Sequence, residues 1–333
     1  MRTRRILMAV LASAASAALL AACNSPAAPN SVGDQGEGLT PITFRLDWIY
    51  GAQHAGYVVA DELGYYDDAG FDVTIQEGEG SAVTAQIVAS GQADIGVISA
   101  GEVLSAVSNG LSLRAVATVV QQSPTAVLYD ADRIQLDSLD DLYGLRLGVV
   151  TESSQYKEWT AVASLNDLDT SAITEVAGGQ AVLQAFINGD LDAALGWTFL
   201  DATVAQAQGI NVEHLLLSDF GLTIPNSALV ANVGVLEGNP GAVTRFIEAT
   251  ERGWDYVREH PEDALDIFFD AAPEAEVESN TVRLPIFLEH LGDDFGAFRH
   301  EEWQALHDLY AAEGLLNEEI ELEGQAYDST LLP

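Results

Sequence analysis

Beyond its first 40 residues, the chain alternates between short apolar runs and apolar residues at helical spacing. The run at 42–46 has the length of a buried strand, and helical spacing from Ala55 stops at Gly64, a residue typical of helix ends. Further strands are predicted at 71–75, 94–99 and 113–120, with helices between them; Ser81 is the predicted cap of one helix. Strands that alternate with helices indicate a mostly parallel sheet.

A second block of the chain has the same pattern. Strands are predicted at 145–150, 173–176 and 191–195. The stretches SGQADIG at 90–96 and NGDLDAA at 188–194 share a helix end, a glycine, two residues, an aspartate and a buried strand. The matching positions of these stretches predict two related α/β lobes.

The last hundred residues change character and predict helices without further strands. Helical patterns cover 240–259, 261–269, 277–290 and 299–313, and Pro240 and Pro261 stand where first-turn prolines are favourable. We expect these helices to cover the outside of a sheet formed earlier in the chain.

The amino terminus reads as a targeting segment. Arg2, Arg4 and Arg5 precede an apolar run at 6–20, and Leu-Ala-Ala-Cys follows, which resembles a bacterial lipoprotein signal at 1–23 with Cys23 as the lipid-bearing residue. The alternative is a transmembrane helix, for which the run is short. Residues 24–40 are rich in Ser, Pro, Gly and Asn and predict a flexible linker. These features predict an extracytoplasmic protein anchored to the cell membrane by lipid.

Composition suits two domains and an acidic surface. The 333 residues are 48% hydrophobic, and the formal charge is −38. Removal of the predicted signal leaves 10 basic and 51 acidic residues, a charge of −41. Such a surface repels nucleic acid, so no nucleic-acid partner is expected. A salt-rich habitat and a preference for arginine over lysine are both open explanations of the acidic composition. We expect the protein to be a monomer.

Candidate binding residues lie in the loop after the first predicted strand. Open α/β sheets bind ligands where strands end, and this loop carries Asp47, Trp48, Tyr50 and His54. The aromatic faces of Trp48 and Tyr50 and the hydrogen-bonding groups of Asp47, Gln53 and His54 suit a small planar polar ligand. Packing of Trp48 and Tyr50 in the core, and capping roles for Asp47 and His54, are the alternatives.

Other predicted strand ends contribute further candidates. Backbone N–H groups at helix starts favour electron-rich ligand atoms, and Trp197 could form the opposite wall of a cleft. The candidates are Ser99, Gly101, Glu102, Thr151, Ser153, Ser154, Tyr156 and Trp197. Ordinary N-capping is the alternative for the lobe-two residues Thr151, Ser153, Ser154 and Tyr156, and core packing is the alternative for Trp197. Glu152, Asp201 and Asn226 are weaker candidates, and Trp254 and Trp303 are expected in the core.

Several motifs resemble those of a known family. They are LDW at 46–48, HAGYVVA at 54–60, LGYY at 63–66, GFDV at 70–73, SG and ADIG within 90–96, NP at 239–240, RF at 245–246, GW at 253–254 and HPEDA at 260–264. On these motifs the chain resembles the substrate-binding proteins of bacterial ABC importers that include the thiamine-pyrimidine and riboflavin binders. The yeast thiamine-pyrimidine synthases are similar too. The resemblance extends from about residue 42 to 269.

The resemblance implies a type II periplasmic-binding-protein fold, with two α/β lobes joined by two hinge crossings and a helical C-terminal tail. Lobe one is expected at 41–128 with 229–333 and lobe two at 129–228, with crossings at 129–133 and 225–231. It also implies lobe closure on a small-molecule ligand, delivered to an ABC permease. A thiamine-precursor pyrimidine is expected first, with riboflavin as the alternative. The turn here reads IYGAQH where the pyrimidine binders have PNTNH, so the exact ligand stays open.

The same family resemblance includes two other functions, those of a synthase and of an anion binder. The synthases imply a lysine-bound pyridoxal phosphate and a cysteine-rich iron motif, whereas the single lysine here is Lys157 and the single cysteine is Cys23. We therefore expect no enzyme, no cofactor and no metal. An alkanesulfonate or nitrate binder would favour basic residues at the loops, and few are present. The sequence favours a heteroaromatic ligand.

Overall fold

The computed structural model describes residues 38–151, 153–179 and 181–332. Cys23, the predicted signal at 1–23 and nearly all of the linker at 24–40 lie outside the described residues. Among the helices that the structure describes, none is both long and apolar enough to pass through a bilayer.

The first sheet belongs to lobe one and has five strands in the order β2-β1-β3-β10-β4. Their bounds are β1 Thr40–Arg45, β2 Phe71–Gln76, β3 Ile95–Ser99, β4 Leu113–Val120 and β10 Ser227–Asn232. Strand β1 pairs in parallel with β2 and β3, while β10 runs antiparallel to both β3 and β4. The strands predicted at 42–46, 71–75, 94–99 and 113–120 are confirmed.

The second sheet, in lobe two, repeats this topology in the order β7-β6-β8-β5-β9. Its strands are β5 Thr125–Asp130, β6 Arg146–Val149, β7 Thr174–Ala177, β8 Ala193–Trp197 and β9 Val212–Leu216. Strand β5 is antiparallel to its neighbours β8 and β9, as β10 is in the first sheet. Two lobes of matching topology are therefore confirmed.

The chain passes between the sheets at 121–124 and at 217–226. The predicted crossing at 129–133 is wrong, because β5 already pairs with β8 and β9 from residue 125 onward. Residues 129 and 130 belong to the buried strand β5, so the chain has already crossed between the sheets before them. The predicted crossing at 225–231 overlaps β10, which joins the first sheet at Ser227.

The repeated aspartates perform the same task in both lobes. Asp94 Oδ2 accepts a hydrogen bond of 2.8 Å from the backbone N–H of Thr43, and Asp192 Oδ2 accepts one of 2.9 Å from that of Arg146. The glycine before each aspartate has a positive φ, 74° at Gly91 and 80° at Gly189, which ends the preceding helix. The sequence similarity between the two blocks thus corresponds to one structural device used twice.

Twelve helices of the described chain surround the sheets. They are α1 Ala55–Glu62, α2 Tyr65–Asp68, α3 Ser81–Ala89, α4 Ala100–Ser108, α5 Ser154–Leu165, α6 Ala181–Ile187, α7 Asp201–Ala207, α8 Val233–Gly238, α9 Pro240–Glu259, α10 Pro261–Ala271, α11 Val277–Leu288 and α12 His300–Ala312. The four tail helices are confirmed to within a few residues. Trp254 and Trp303 are fully buried, as expected. Ser81 does not cap α3, since its Oγ instead accepts the backbone N–H of Ser99.

Helices α1 and α9 approach each other without intervening side chains. A Cβ atom on Gly253 would stand 2.1 Å from the carbonyl oxygen of Gly56, and one on Gly56 would stand 2.2 Å from the Trp254 ring. The two glycines therefore allow the helix backbones to touch, and the indole of Trp254 fills the space beside them. This contact fixes α1, which begins directly after the loop of candidate binding residues.

We expect Gly253→Ala to destabilise the protein by about 1–3 kcal/mol, since the added methyl group overpacks a rigid backbone contact. Thermal and urea denaturation measure this loss. Gly238→Ala is the matched control, because a Cβ there meets no heavy atom within 4 Å. Equal stability of the two variants would contradict the proposed contact.

Candidate functional site

A cavity of about 460 Å³ lies between the two lobes. Its wall includes eight of the twelve predicted binding residues, which are Asp47, Trp48, Tyr50, His54, Ser99, Gly101, Ser154 and Trp197. The other four, Glu102, Thr151, Ser153 and Tyr156, do not line it. Both lobes contribute to the wall, as the sequence predicted for a cleft site.

The loop before α1 supplies a hydrogen-bonded pair of polar side chains. Asp47 Oδ1 lies 2.8 Å from Nε2 of His54, and the imidazole is almost completely buried. His54 makes no capping hydrogen bond to α1, so the predicted alternative of a helix cap does not hold. The imidazole instead holds the Asp47 carboxylate at the cavity wall. The backbone N–H of Gly80 donates to the Asp47 carbonyl oxygen at 2.7 Å and fixes the loop further.

Aromatic side chains form much of the cavity wall. Trp197 stacks on Phe199 with ring centroids 5.8 Å apart, and Phe199 meets Phe287 of α11 edge-on at 5.3 Å. The indole N–H of Trp197 is buried and has no partner among the described residues. Trp48 is 53% exposed, so it lies at the mouth of the cavity and not in the core. These faces can sandwich a planar ring.

The helix start after β3 contributes Ser99 and Gly101. Ser99 Oγ accepts the backbone N–H of Glu102 at 3.2 Å and thereby caps α4. A Cβ on Gly101 would collide with the hydroxyl of Tyr310, so glycine leaves room for a tyrosine from α12. Burial is the main cause of the raised pKa of Glu102, whose side chain lies outside the cavity wall.

In lobe two the polar side chains that line the cavity are on α5, and most of the predicted residues at its start do not line it. Ser153 caps α5 by accepting the backbone N–H of Tyr156, whose hydroxyl donates to Glu175, and Thr151 is exposed. Ser154 and Glu158 share one face of the helix at a spacing of four residues, and both line the cavity. Extending the helical period from Ser154 would have found Glu158 from the sequence.

Glu158 is a buried carboxyl group of the cavity wall. Burial raises its pKa from 4.5 to about 7, although hydrogen bonds from Ser123 and Thr125 lower it in part. Ser123 Oγ donates to Glu158 Oε2 at 2.7 Å. Near neutral pH the group can thus change between a hydrogen-bond-donating acid and an accepting carboxylate.

Further cavity residues come from several separate parts of the chain. Asn226, a weaker sequence candidate, lines the cavity from the second crossing. Asp201 does not line it: its carboxylate accepts the backbone N–H of Trp197 at 2.7 Å. Glu152 lies outside the described residues. The unpredicted wall residues include Tyr57, Ser81, Glu158, Phe199, Leu200, Ile224, Pro225, Arg283, Phe287 and Tyr310.

Comparison with known proteins finds relatives of two kinds. A 4-amino-5-hydroxymethyl-2-methylpyrimidine phosphate synthase of Legionella pneumophila is 25% identical over 70% of this chain and 74% of the relative. The riboflavin-binding protein RibY of Chloroflexus aurantiacus is 24% identical over 95% of both chains. A formylaminopyrimidine-binding protein of Halalkalibacterium halodurans is 25% identical over 86% of this chain and 87% of its own.

The fold also has solved counterparts. The periplasmic aliphatic sulphonate binding protein SsuA of Escherichia coli superposes with a TM-score of 0.69 at 16% identity, covering 88% of this chain and 98% of its own. The chain thus has the expected periplasmic-binding-protein fold of type II. The family model described as NMT1/THI5 like matches residues 51–264, well over half of the sequence. The chain therefore belongs to the NMT1/THI5-like family.

Proposed function

We propose that this protein is an extracytoplasmic solute-binding protein of an ABC importer, which captures a small planar heteroaromatic molecule between its lobes. The observation that carries this proposal is the interlobe cavity of about 460 Å³, whose wall combines aromatic faces with polar side chains from both lobes. Small-molecule pockets typically measure roughly 300–1,000 Å³ and have this mixture of surfaces. Lipid on Cys23 would hold the protein, as a monomer, beside the permease that receives the ligand.

A thiamine-precursor pyrimidine is the ligand that this wall supports best. An aminopyrimidine presents a ring nitrogen that accepts and an amino group that donates, side by side. A protonated carboxyl group offers the reverse pair, and the carboxylate of Asp47 adds a further acceptor. Glu158, with its pKa near 7, supplies the protonated form over part of the physiological range. A formylaminopyrimidine-binding protein among the relatives agrees with this choice.

Riboflavin is the second candidate, and one observation favours it. Trp48 and Ile49 stand at the cavity mouth with more than half of their surfaces exposed, at 53% and 56%. A tricyclic ring longer than a pyrimidine could extend over these apolar side chains. RibY, which is similar along nearly the whole chain, binds riboflavin by its name.

Two rival functions have less support from the wall. An alkanesulfonate or nitrate would be expected to meet several cationic donors, but Arg283 is the one Arg or Lys of the described residues that lines the cavity. For a synthase, the lysine would have to reach the ligand. Lys157 instead places its Nζ 5.5 Å from the Tyr310 ring centre and is absent from the cavity wall.

We expect a pyrimidine ligand to raise the thermal midpoint of the purified protein. At about 100 times its Kd a ligand adds roughly 2.7 kcal/mol of stability. The panel is hydroxymethylpyrimidine, formylaminopyrimidine, thiamine, riboflavin, taurine and nitrate. A shift with riboflavin alone would select the second candidate, and a shift with taurine or nitrate alone would refute the heteroaromatic proposal.

Trp197→Ala should abolish the ligand-induced shift, because the variant loses one aromatic wall of the cavity. Leu165→Ala is the matched control, since Leu165 lies in lobe two, is 61% exposed and does not line the cavity. Isothermal titration of both variants measures the effect. Undiminished affinity in Trp197→Ala would place the ligand elsewhere.

Stability should fall as pH rises from about 4.5 to 7 because of Glu158. The folded protein retains this proton up to a pKa of about 7, whereas the unfolded chain releases it near 4.5, so the folded state binds more protons in this window. Relative to Glu158→Gln, the wild type should lose up to about 3 kcal/mol across it. Urea denaturation at several pH values tests this, with exposed Glu237→Gln as control. Parallel pH curves for wild type and Glu158→Gln would contradict it.

A further inference from the structure

Arg283 occupies a defined place on the cavity side of α11. Asn280, Arg283 and Phe287 follow one another at spacings of three and four residues, so they share one helix face. Asn280 Oδ1 accepts the backbone N–H of Ala52 at 2.8 Å, and Phe287 packs on Phe199 of lobe two. The guanidinium between these two contacts lines the cavity, next to the junction of the lobes.

Most N–H donors of the Arg283 guanidinium have no hydrogen-bond partner among the described residues. Its Nε donates to Thr203 Oγ1 at the long distance of 3.5 Å, and it forms no ion pair with a described carboxylate. Burial lowers the pKa of Arg283, while the charges of Glu276 and Asp201 raise it, and the group stays protonated. Asp201 is already engaged by the N–H of Trp197. The donors of the fork are thus available to a ligand.

The ionisable groups of the cavity therefore offer two different kinds of hydrogen bonding. Asp47 and Glu158, from the loop before α1 and from α5, can bind the amino group and ring nitrogen of a heterocycle. Arg283 can only donate, and donate as a cation. A ring alone would leave this cation with only the long hydrogen bond to Thr203 Oγ1 in a partly desolvated wall, which is unfavourable. The wall thus fits a ligand with an acceptor oxygen attached to its ring.

We propose that Arg283 is the specificity-determining residue that binds an acceptor oxygen on a substituent of the heteroaromatic ligand. A formyl carbonyl and a phosphate ester both present such an oxygen. This inference rests on the proposed function, since it assigns the cation of the same cavity. Arg283 lies beyond residue 264, where the match to the family model ends.

The test compares three ligands with wild type, Arg283→Gln and Arg283→Lys in the full chain by isothermal titration. The ligands are 4-amino-2,5-dimethylpyrimidine, which lacks the oxygen, formylaminopyrimidine, and hydroxymethylpyrimidine phosphate. We expect Arg283→Gln to weaken an oxygen-bearing ligand about tenfold to a hundredfold and to leave the dimethyl compound within about threefold. Arg283→Lys should restore part of the loss, because it keeps the charge.

The two oxygen-bearing ligands distinguish the sources of the acceptor. A larger loss for the formyl compound assigns a carbonyl, and a larger loss for the phosphate ester assigns an anion. Equal losses for all three ligands would overturn the inference while the proposed function stands, because wild type would still bind the ring. If wild type binds no ring compound, the proposed function fails and the inference with it. Thermal midpoints without ligand confirm that the variants fold.

Discussion

The backbone contact between α1 and α9 is the constraint on which the site depends. Gly56 and Gly253 bring the two helices together without side chains, and Trp254 closes the space beside them. Because α1 follows directly on the loop that holds Asp47 and His54, the position of the helix fixes the position of that loop. A helix of the C-terminal tail, far along the chain, thus determines where the polar pair of the first loop faces the cavity.

The sequence predicted most of the fold because its signals are local. Helix and strand periods, glycine stops and first-turn prolines act within a few residues, and the repeated aspartates mark equivalent strand starts in both lobes. The first crossing was misplaced because 113–120 and 125–130 are both apolar strands. Only the pairing of the second strand shows which sheet it joins.

The candidate site was predictable where one loop holds several of its residues, and missed where distant elements meet. Asp47, Trp48 and His54 lie close together in the sequence, and the structure brings all three to the cavity. Arg283 and Tyr310 reach the same wall from separate tail helices, whose charged and aromatic residues resemble any amphipathic surface. Glu158 is intermediate: helical spacing from Ser154 indicates its direction, but its raised pKa depends on its burial in the folded protein.

The hydrogen bond from Ser123 to Glu158 has a mechanical consequence. Ser123 lies in the first segment between the sheets, and its backbone N–H donates to Ile224 of the second at 3.0 Å, so both segments and the cavity carboxyl form one connected chain of contacts. A molecule that bonds to Glu158 would compete with Ser123 for the carboxyl oxygens, and so would act on a residue that connects the two segments. The candidate site and the connection between the lobes thus share the same few atoms.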